Sequence, residues 1–249
     1  MSDRQNDTRR YDLDWLRVIA FALLIFYHVG MFYVTWGWHV KSAYAGPESE
    51  PLMLVLNPWR LALLFFISGV AVRFASDKAS SIRAFVGARI VRLGLPILMG
   101  MIVVVAPQTY FELRQDGLIT PNYFEFWGNY LQGNAGYPVV TPTWNHLWYV
   151  VYLLTYVLLI WPFLPALRRM AEGRVGQRLG QLASSPWGLL LGLAVPFVVY
   201  EWWLTPRFET THNLIWDWAN HAHRLSIFLL GYFFAKNSAF WGAVDRYRA

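Results

Sequence analysis

Long apolar runs, separated by short polar breaks, dominate the chain. They predict helices at about 13–35, 52–74, 85–106, 144–164, 186–204 and 217–235. Most of these runs reach the roughly 20 residues that a helix needs to cross a hydrocarbon core of about 30 Å. The pattern therefore predicts an all-α, polytopic integral membrane protein with about six transmembrane helices.

Composition supports the same class. Of the 249 residues, 56% are hydrophobic and only 14% are charged, which is too few for the surface of a soluble domain. A net charge of +6 would suit nucleic acid only if the basic residues shared one solvated face. They fall instead in alternate loops, so we expect a lipid bilayer and no nucleic acid as partner. The absence of cysteine excludes disulfides and thiol nucleophiles.

Basic residues are concentrated at the two termini and in every second loop. They are Arg4, Arg9, Arg10, Lys78, Arg83, Arg168, Arg169, Arg174, Arg178, Lys236, Arg246 and Arg248. By the positive-inside rule, both termini are predicted to be cytoplasmic. The long aromatic loop at 107–143 then lies on the outer side, along the membrane interface.

The first predicted span carries two ionisable groups, which marks it as a candidate functional site. Arg17 and His28 are eleven residues apart, so they project from one buried face of the helix, about 16 Å apart along its axis. Asp14, one turn before Arg17, is placed to pair with it. The competing interpretations are that Arg17 extends its charge to the membrane interface and that His28 forms hydrogen bonds between helices. Because burial favours the neutral imidazole, His28 is a candidate general base.

The third predicted span begins with a pair of arginines. Arg89 and Arg92 are three residues apart and therefore share a helix face near the predicted cytoplasmic end. Guanidinium groups match phosphate oxygens, so the pair is a candidate anion clamp. An ordinary basic flank of a membrane span is the competing interpretation.

The second predicted span combines small residues with one arginine. Ser68 and Gly69 allow the backbone of a neighbouring helix to approach closely. Arg60 lies nearer the outer end, where it is either an interfacial anchor or part of a cavity wall, and the sequence leaves both open.

Several polar residues fall at the predicted outer ends of the fourth and sixth spans. His146 begins the fourth span, and Asp217, His221 and Arg224 share one face of the sixth. His223 points about 200° from His221, so the two form a poor chelating pair and no metal site is expected. These groups gather on the same side as His28, with interfacial hydrogen bonding as the competing role.

Taken together, these motifs resemble the family-3 membrane acyltransferases across the whole chain. The resemblance rests on the spacing of Arg17 and His28, the Arg89 and Arg92 pair, and the segments LDWLR, FFISG and HLW. The stretches RRYDLDWLRVIAFALLIFYH and NPWRLALLFFISG most resemble the branch that contains glucan biosynthesis protein C, a glucan succinyltransferase.

The resemblance implies transfer of an acyl group, acetyl or succinyl, from cytoplasmic acyl-CoA to a hydroxyl of an extracytoplasmic carbohydrate at a bacterial inner membrane. His28 corresponds to the essential histidine of the family, and Arg17, with Asp14 beside it, to the paired arginine. The remaining assignments are Arg89, Arg92 and Ser68 to acyl-CoA, and Arg60, His146, His221 and Arg224 to the acceptor. An acyl-histidine intermediate is the alternative mechanism. Acyl-CoA is the expected co-substrate, with no metal or haem.

The family typically has about ten spans, so we expect a single acyltransferase-like domain over 1–249 that is incomplete at its C-terminus, with a short member of the family as the alternative. The main rival is a transporter or flippase for an anionic lipid or sugar, with the same arginines and histidines lining a path. A haem protein is a second rival, because the chain has six histidines. A retinal protein is disfavoured because Lys41, Lys78 and Lys236 all lie outside the predicted spans.

Overall fold

The computed structural model describes residues 10–120, 122–133 and 136–247, and regular structure within these ranges is entirely helical. The helices are α1 (Tyr11–Tyr33), α2 (Glu50–Lys78), α3 (Ile82–Gln115), α4 (Tyr123–Leu131), α5 (Asn145–Glu172), α6 (Arg174–Ala183), α7 (Gly188–Trp203), α8 (Trp218–Phe234) and α9 (Ser238–Tyr247). The predicted all-α class is confirmed.

Within the described ranges, four helices are long and apolar enough to cross a membrane, namely α1, α2, α3 and α5. A fifth span arises if α8 and α9, which meet at a bend of 100°, count as one. The run at 186–204 forms α7, which is shorter than the other candidates. The fold is therefore that of a membrane protein with four or five candidate spans, whereas six spans and cytoplasmic termini stay predictions. Of the basic residues behind the orientation, Arg4, Arg9 and Arg248 lie outside the described residues.

Helix α3 is longer than its hydrophobic run indicates, because it continues past residue 106 to Gln115. The expectation of a loop from residue 107 is therefore wrong at its start. Two π-helical segments, Ile90–Gly94 and Gly100–Val105, interrupt the α-helical pattern. Pro107 falls in the first turn of the α-helical segment that follows the second of them, where its missing N–H breaks no regular α-helical hydrogen bond.

The aromatic segment α4 packs against this irregular part of α3. The indole of Trp127 donates to the carbonyl of Ile102 at 3.0 Å, and the hydroxyl of Tyr130 donates to the carbonyl of Met101 at 3.1 Å. A π-helical turn changes the regular backbone hydrogen bonding, and these two side chains bind carbonyls within it. Helix α4 is thus anchored on α3 by hydrogen bonds as well as by apolar contact.

Helices α2 and α8 form the closest helix pair of the bundle. A Cβ atom on Gly69 would overlap the carbonyl oxygen of Phe228, and one on Gly231 would overlap the carbonyl oxygen of Phe66. The backbones can approach this far only because both positions lack a side chain. The close approach that the sequence predicts for Gly69 is confirmed.

An ion-pair network joins α2, α5 and the turn after α8 at the point where α2 ends. We call this end of the bundle the basic end. Asp77 pairs with Arg73 at 2.9 Å, with Arg168 at 2.7 Å and with Lys236 at 2.9 Å. Arg73 also pairs with Glu172. Carboxylates from α2 and α5 therefore neutralise the buried guanidinium of Arg73.

Candidate active site

A cavity of about 1050 Å³ lies at the opposite end of the bundle, which we call the cavity end. Helices α1, α2, α3, α5 and α8 all contribute to its walls, together with residues from the connecting segments. The polar and aromatic lining residues include His28, Trp38, His39, Arg60, Glu112, His146, Tyr149, His212 and Arg224. The cavity is large enough for a ligand of sugar or drug size.

His28 projects from α1 into this cavity. Its ring stacks on Trp38 with centroids 5.3 Å apart, and the edge of His146 lies against it at 5.8 Å. In the part of the chain that the structure describes, no group hydrogen-bonds to either ring nitrogen of His28. Aromatic packing therefore orients the imidazole while its nitrogens stay available to a ligand.

The two neighbouring histidines have partners. Nδ1 of His146 donates to the side-chain oxygen of Gln108 at 2.9 Å, which leaves its Nε2 as an acceptor when the ring is neutral. Nδ1 of His39 lies 2.9 Å from the carboxylate of Glu112. His28 thus differs from both neighbours in having no bonded orienting group.

Asp217 supports another wall of the cavity, the one that contains His212. Its buried carboxylate accepts hydrogen bonds from the Tyr152 hydroxyl, the Asn220 amide at 2.8 Å and the backbone N–H of His212 at 3.1 Å. Burial opposes ionisation, but these hydrogen bonds outweigh it and hold the pKa of Asp217 below its ordinary value. The His212 ring stacks on Trp148 at 4.2 Å, and its burial lowers its pKa. This wall therefore presents a neutral imidazole at pH 7.

Four of the predicted site residues line the cavity together, namely His28, Arg60, His146 and Arg224. His221 does not, because it lies behind Tyr152 with both ring nitrogens engaged. Its Nδ1 is 3.0 Å from the hydroxyl of Tyr156, and its Nε2 donates to the carbonyl of Leu214 at 2.8 Å. Its assignment to the acceptor finds no support in this geometry.

Arg17 and Asp14 lie outside the cavity, towards the basic end. They pair at 3.1 Å, as their spacing predicts, and Arg17 is exposed. The buried side chains of α1 are Leu13, Ala20, Tyr27 and Met31. The expectation that one buried face carries both Arg17 and His28 is therefore wrong. These four apolar and aromatic side chains occupy the packed face of α1, and Arg17 and His28 lie beside it.

The predicted coenzyme residues also lie outside the cavity lining. Arg89 is half-buried, with its guanidinium 5.4 Å from the ring of Phe85, and Arg92 is exposed in the first π-helical segment. The hydroxyl of Ser68 hydrogen-bonds that of Tyr149 at 2.7 Å, and Tyr149 itself lines the cavity. Their assignment to acyl-CoA stays a prediction.

Sequence reasoning missed Trp38, His39, Glu112 and His212 as cavity residues. All four lie outside the predicted spans, and the contact between His39 and Glu112 joins positions 73 residues apart. The only local signal is the aromatic stretch Trp36-Gly37-Trp38-His39 directly after the first span. Among the described residues, no group of three or more histidine, aspartate or glutamate side chains is arranged to hold a metal ion.

Comparison with known proteins identifies the chain at family level. Residues 10–248 match the family model described as an acyltransferase domain, that of acyltransferase family 3. The searches of curated proteins and of solved structures found no match. Since the match covers nearly the whole chain, the protein belongs to acyltransferase family 3 and is an acyltransferase.

Proposed function

We propose that the protein is a membrane O-acyltransferase of a bacterial inner membrane. It moves an acetyl or succinyl group from cytoplasmic acyl-CoA to a hydroxyl of an extracytoplasmic carbohydrate, with His28 as general base. The observation that carries this proposal is the His28 ring, which lines the cavity and has no hydrogen-bonding partner among the described residues. The resemblance of the first two helices to the glucan-modifying branch favours a glucan as acceptor.

The proposed reaction uses His28 twice. Its imidazole accepts the proton of the acceptor hydroxyl while the hydroxyl oxygen attacks the thioester carbonyl carbon. The tetrahedral intermediate collapses, the C–S bond breaks, and the imidazolium returns the proton to the CoA thiolate. The products are the ester and free CoA. In the alternative, the acyl group rests on His28 before it reaches the acceptor.

The donor is proposed to approach from the basic end, which we take to be cytoplasmic. Arg89 and Arg92 would bind coenzyme phosphates there, because guanidinium groups bind phosphate by paired hydrogen bonds. Ser68 lies eight residues beyond Arg60 on α2, about 12 Å closer to the basic end. The Ser68–Tyr149 hydrogen bond therefore lies on the side of the cavity that the acyl chain would have to pass.

Transfer of labelled acyl groups tests this function. The full chain in proteoliposomes is supplied with radiolabelled acetyl-CoA or succinyl-CoA and a linear glucan. We expect His28→Gln to lower ester formation at least about 100-fold, which is the lower range for loss of a general base. The matched control is His223→Gln, because His223 faces Glu201 at 3.6 Å and does not line the cavity.

Each result separates the candidates. Normal transfer by His28→Gln would exclude His28 as the base. Passage of substrate across the bilayer without any ester would favour a transporter or flippase. Label that stays on the wild-type protein when no acceptor is present would favour the acyl-histidine route.

A further inference from the structure

Arg60 is a buried cation without a counter-ion in the described structure. Its side chain is 3% exposed, and its guanidinium carbon lies 3.3 Å from the centroid of the Tyr27 ring. One guanidinium nitrogen donates to Asn57 at 3.1 Å, but the buried Nε has no partner. No described carboxylate forms an ion pair with it. Burying an unpaired charge is costly, so a guanidinium in this position favours the binding of an anionic group.

Arg224 brings a second guanidinium to the same cavity from α8. Its Nε donates to the side-chain oxygen of Asn220 at 3.0 Å, and no described carboxylate forms an ion pair with it. The nearby Asp217 forms no ion pair with Arg224; its fully buried carboxylate accepts hydrogen bonds from Tyr152 and Asn220 instead. Asn220 therefore separates the arginine from the nearest carboxylate.

The only carboxylate among the described cavity-lining residues is that of Glu112, and it lies 2.9 Å from His39. Two arginines against one already bonded glutamate leave the cavity with excess positive charge. Guanidinium groups bind carboxylate and phosphate through two parallel hydrogen bonds, and this geometry is available to a ligand that enters the cavity.

We propose that Arg60 and Arg224 form a subsite for an oxyanion, a carboxylate or a phosphate, that a substrate of the proposed transferase carries. The assignment of the oxyanion to a substrate rests on the proposed function, whereas the anion site itself does not. The oxyanion has two possible sources. It is either the far carboxylate of a dicarboxylic acyl group or an acidic substituent of the carbohydrate acceptor.

Anion binding is measured first, without any transfer reaction. The purified full chain in detergent is heated with succinate or glycerol phosphate, and with the neutral analogues succinamide and glycerol, at constant ionic strength. We expect both anions to raise the unfolding temperature and the neutral analogues to leave it unchanged. Arg60→Met and Arg224→Gln should each weaken the anion response at least tenfold in apparent Kd.

Arg207→Gln is the matched control, because Arg207 is exposed and reaches only the carbonyl and ring of Trp203. It should keep the wild-type anion response. Equal stabilisation by succinamide and succinate would overturn the subsite. So would an undiminished anion response in the double variant of Arg60 and Arg224.

Transfer assays then separate the two sources. A tenfold or greater loss of kcat/KM in Arg60→Met with succinyl-CoA, but not with the neutral butyryl-CoA, assigns the oxyanion to the acyl group. A loss seen only with a phosphorylated glucan, and not with the unsubstituted one, assigns it to the acceptor. No loss with any of these substrates overturns the substrate role. If anions bind through these arginines but no acyl group moves, the proposed function fails and the anion site stands.

Discussion

Arg60 and Arg73 lie on the same helix, α2, and are buried to almost the same degree, at 3% and 2% exposure. Their surroundings differ in kind. Arg73 at the basic end pairs with Asp77 and Glu172, whereas Arg60 at the cavity end has only Asn57 and the face of Tyr27. Among the described residues, carboxylates thus accompany the buried arginine at one end of α2 and not the one at the other end. This contrast indicates a structural role for Arg73 and a ligand-binding role for Arg60.

Loss of Arg73 should give the largest effect on stability. Arg73→Met removes the cation that Asp77 and Glu172 share, and breaking a buried ion pair costs about 3–5 kcal/mol. Because Asp77 keeps Arg168 and Lys236, we expect the free energy of unfolding to fall by about 3 kcal/mol. Tryptophan fluorescence during SDS unfolding in mixed micelles measures it.

Arg169→Met is the control, because Arg169 is exposed on α5 and its side chain reaches only the carbonyl of Pro165 at 3.4 Å. It should change stability by less than about 0.5 kcal/mol, as exposed substitutions usually do. A loss below about 1 kcal/mol for Arg73→Met would mean that its ion pairs are not structural, and the contrast with Arg60 would fail.

The contrast between Arg60 and Arg73 also requires that α2 keep a fixed position against α8. Gly69→Ala places a Cβ atom on the carbonyl oxygen of Phe228, and overpacking of this kind costs about 1–3 kcal/mol. We expect the free energy of unfolding to fall by about 2–3 kcal/mol, because the atoms that the new Cβ would overlap are all backbone atoms of α8. The same unfolding assay measures it.

Gly87→Ala tests whether the loss is specific to that contact. A Cβ at Gly87 meets no atom within 4 Å, and alanine is the better helix former by about 1 kcal/mol. Gly87→Ala should therefore be neutral or stabilising. If both alanine variants lose stability equally, the close approach of α2 and α8 does not explain the result.

The contribution of Asp217 at the cavity end to the stability of the fold depends on pH. The pKa of Asp217 lies below its ordinary value, so its ionised form stabilises the fold at neutral pH. That contribution is present above the unfolded pKa of about 3.8 and is lost as pH falls through the folded pKa. Asp217→Asn should cost about 2 kcal/mol at pH 7, in the range for hydrogen bonds to a charged group.

The measurement is the difference in unfolding free energy between wild type and Asp217→Asn from pH 7 down to pH 3. We expect the difference to shrink below about pH 4. A constant difference over this range would show that the charge of Asp217 contributes nothing to the hydrogen bonds that hold His212 in the cavity wall.

The helical class follows from the sequence pattern, because apolar runs depend on local composition. Helix ends were less predictable. The π-helical segment Gly100–Val105 lets α3 continue through Pro107, and hydropathy does not report backbone hydrogen bonding. The run that became α7 was too short in the fold to count as a span.

The site was predictable where one helix carries an unusual residue and unpredictable where distant segments meet. His28 and Arg60 stand out because charge and imidazole are rare in apolar runs. Trp38 and Glu112 do not, because residues of these types are common outside the apolar runs and only the fold brings them to the cavity. For the same reason, sequence placed His221 among the acceptor residues, although Tyr156 and Leu214 occupy both of its nitrogens.

The smallest expected effect on stability is that of Arg60→Met, and it is the sharpest test of the comparison. Methionine keeps much of the side-chain volume and removes a buried charge that pairs with no carboxylate of the described residues, so the desolvation cost of that charge disappears. We expect the free energy of unfolding to stay within about 1 kcal/mol of wild type, or to rise. The SDS unfolding assay, run beside Arg73→Met in the absence of added anions, measures the difference.

A loss of about 3 kcal/mol in Arg60→Met would break the comparison, because the Tyr27 ring and Asn57 would then be sufficient partners for the buried guanidinium. Cation–π contact with a desolvated ring is worth about 2 kcal/mol or more, so this outcome is physically accessible. Tyr27→Leu distinguishes the two cases. If the ring were the true partner of the guanidinium, Tyr27→Leu would destabilise wild type more than it destabilises Arg60→Met. Independent losses would favour an anionic ligand as the partner of Arg60.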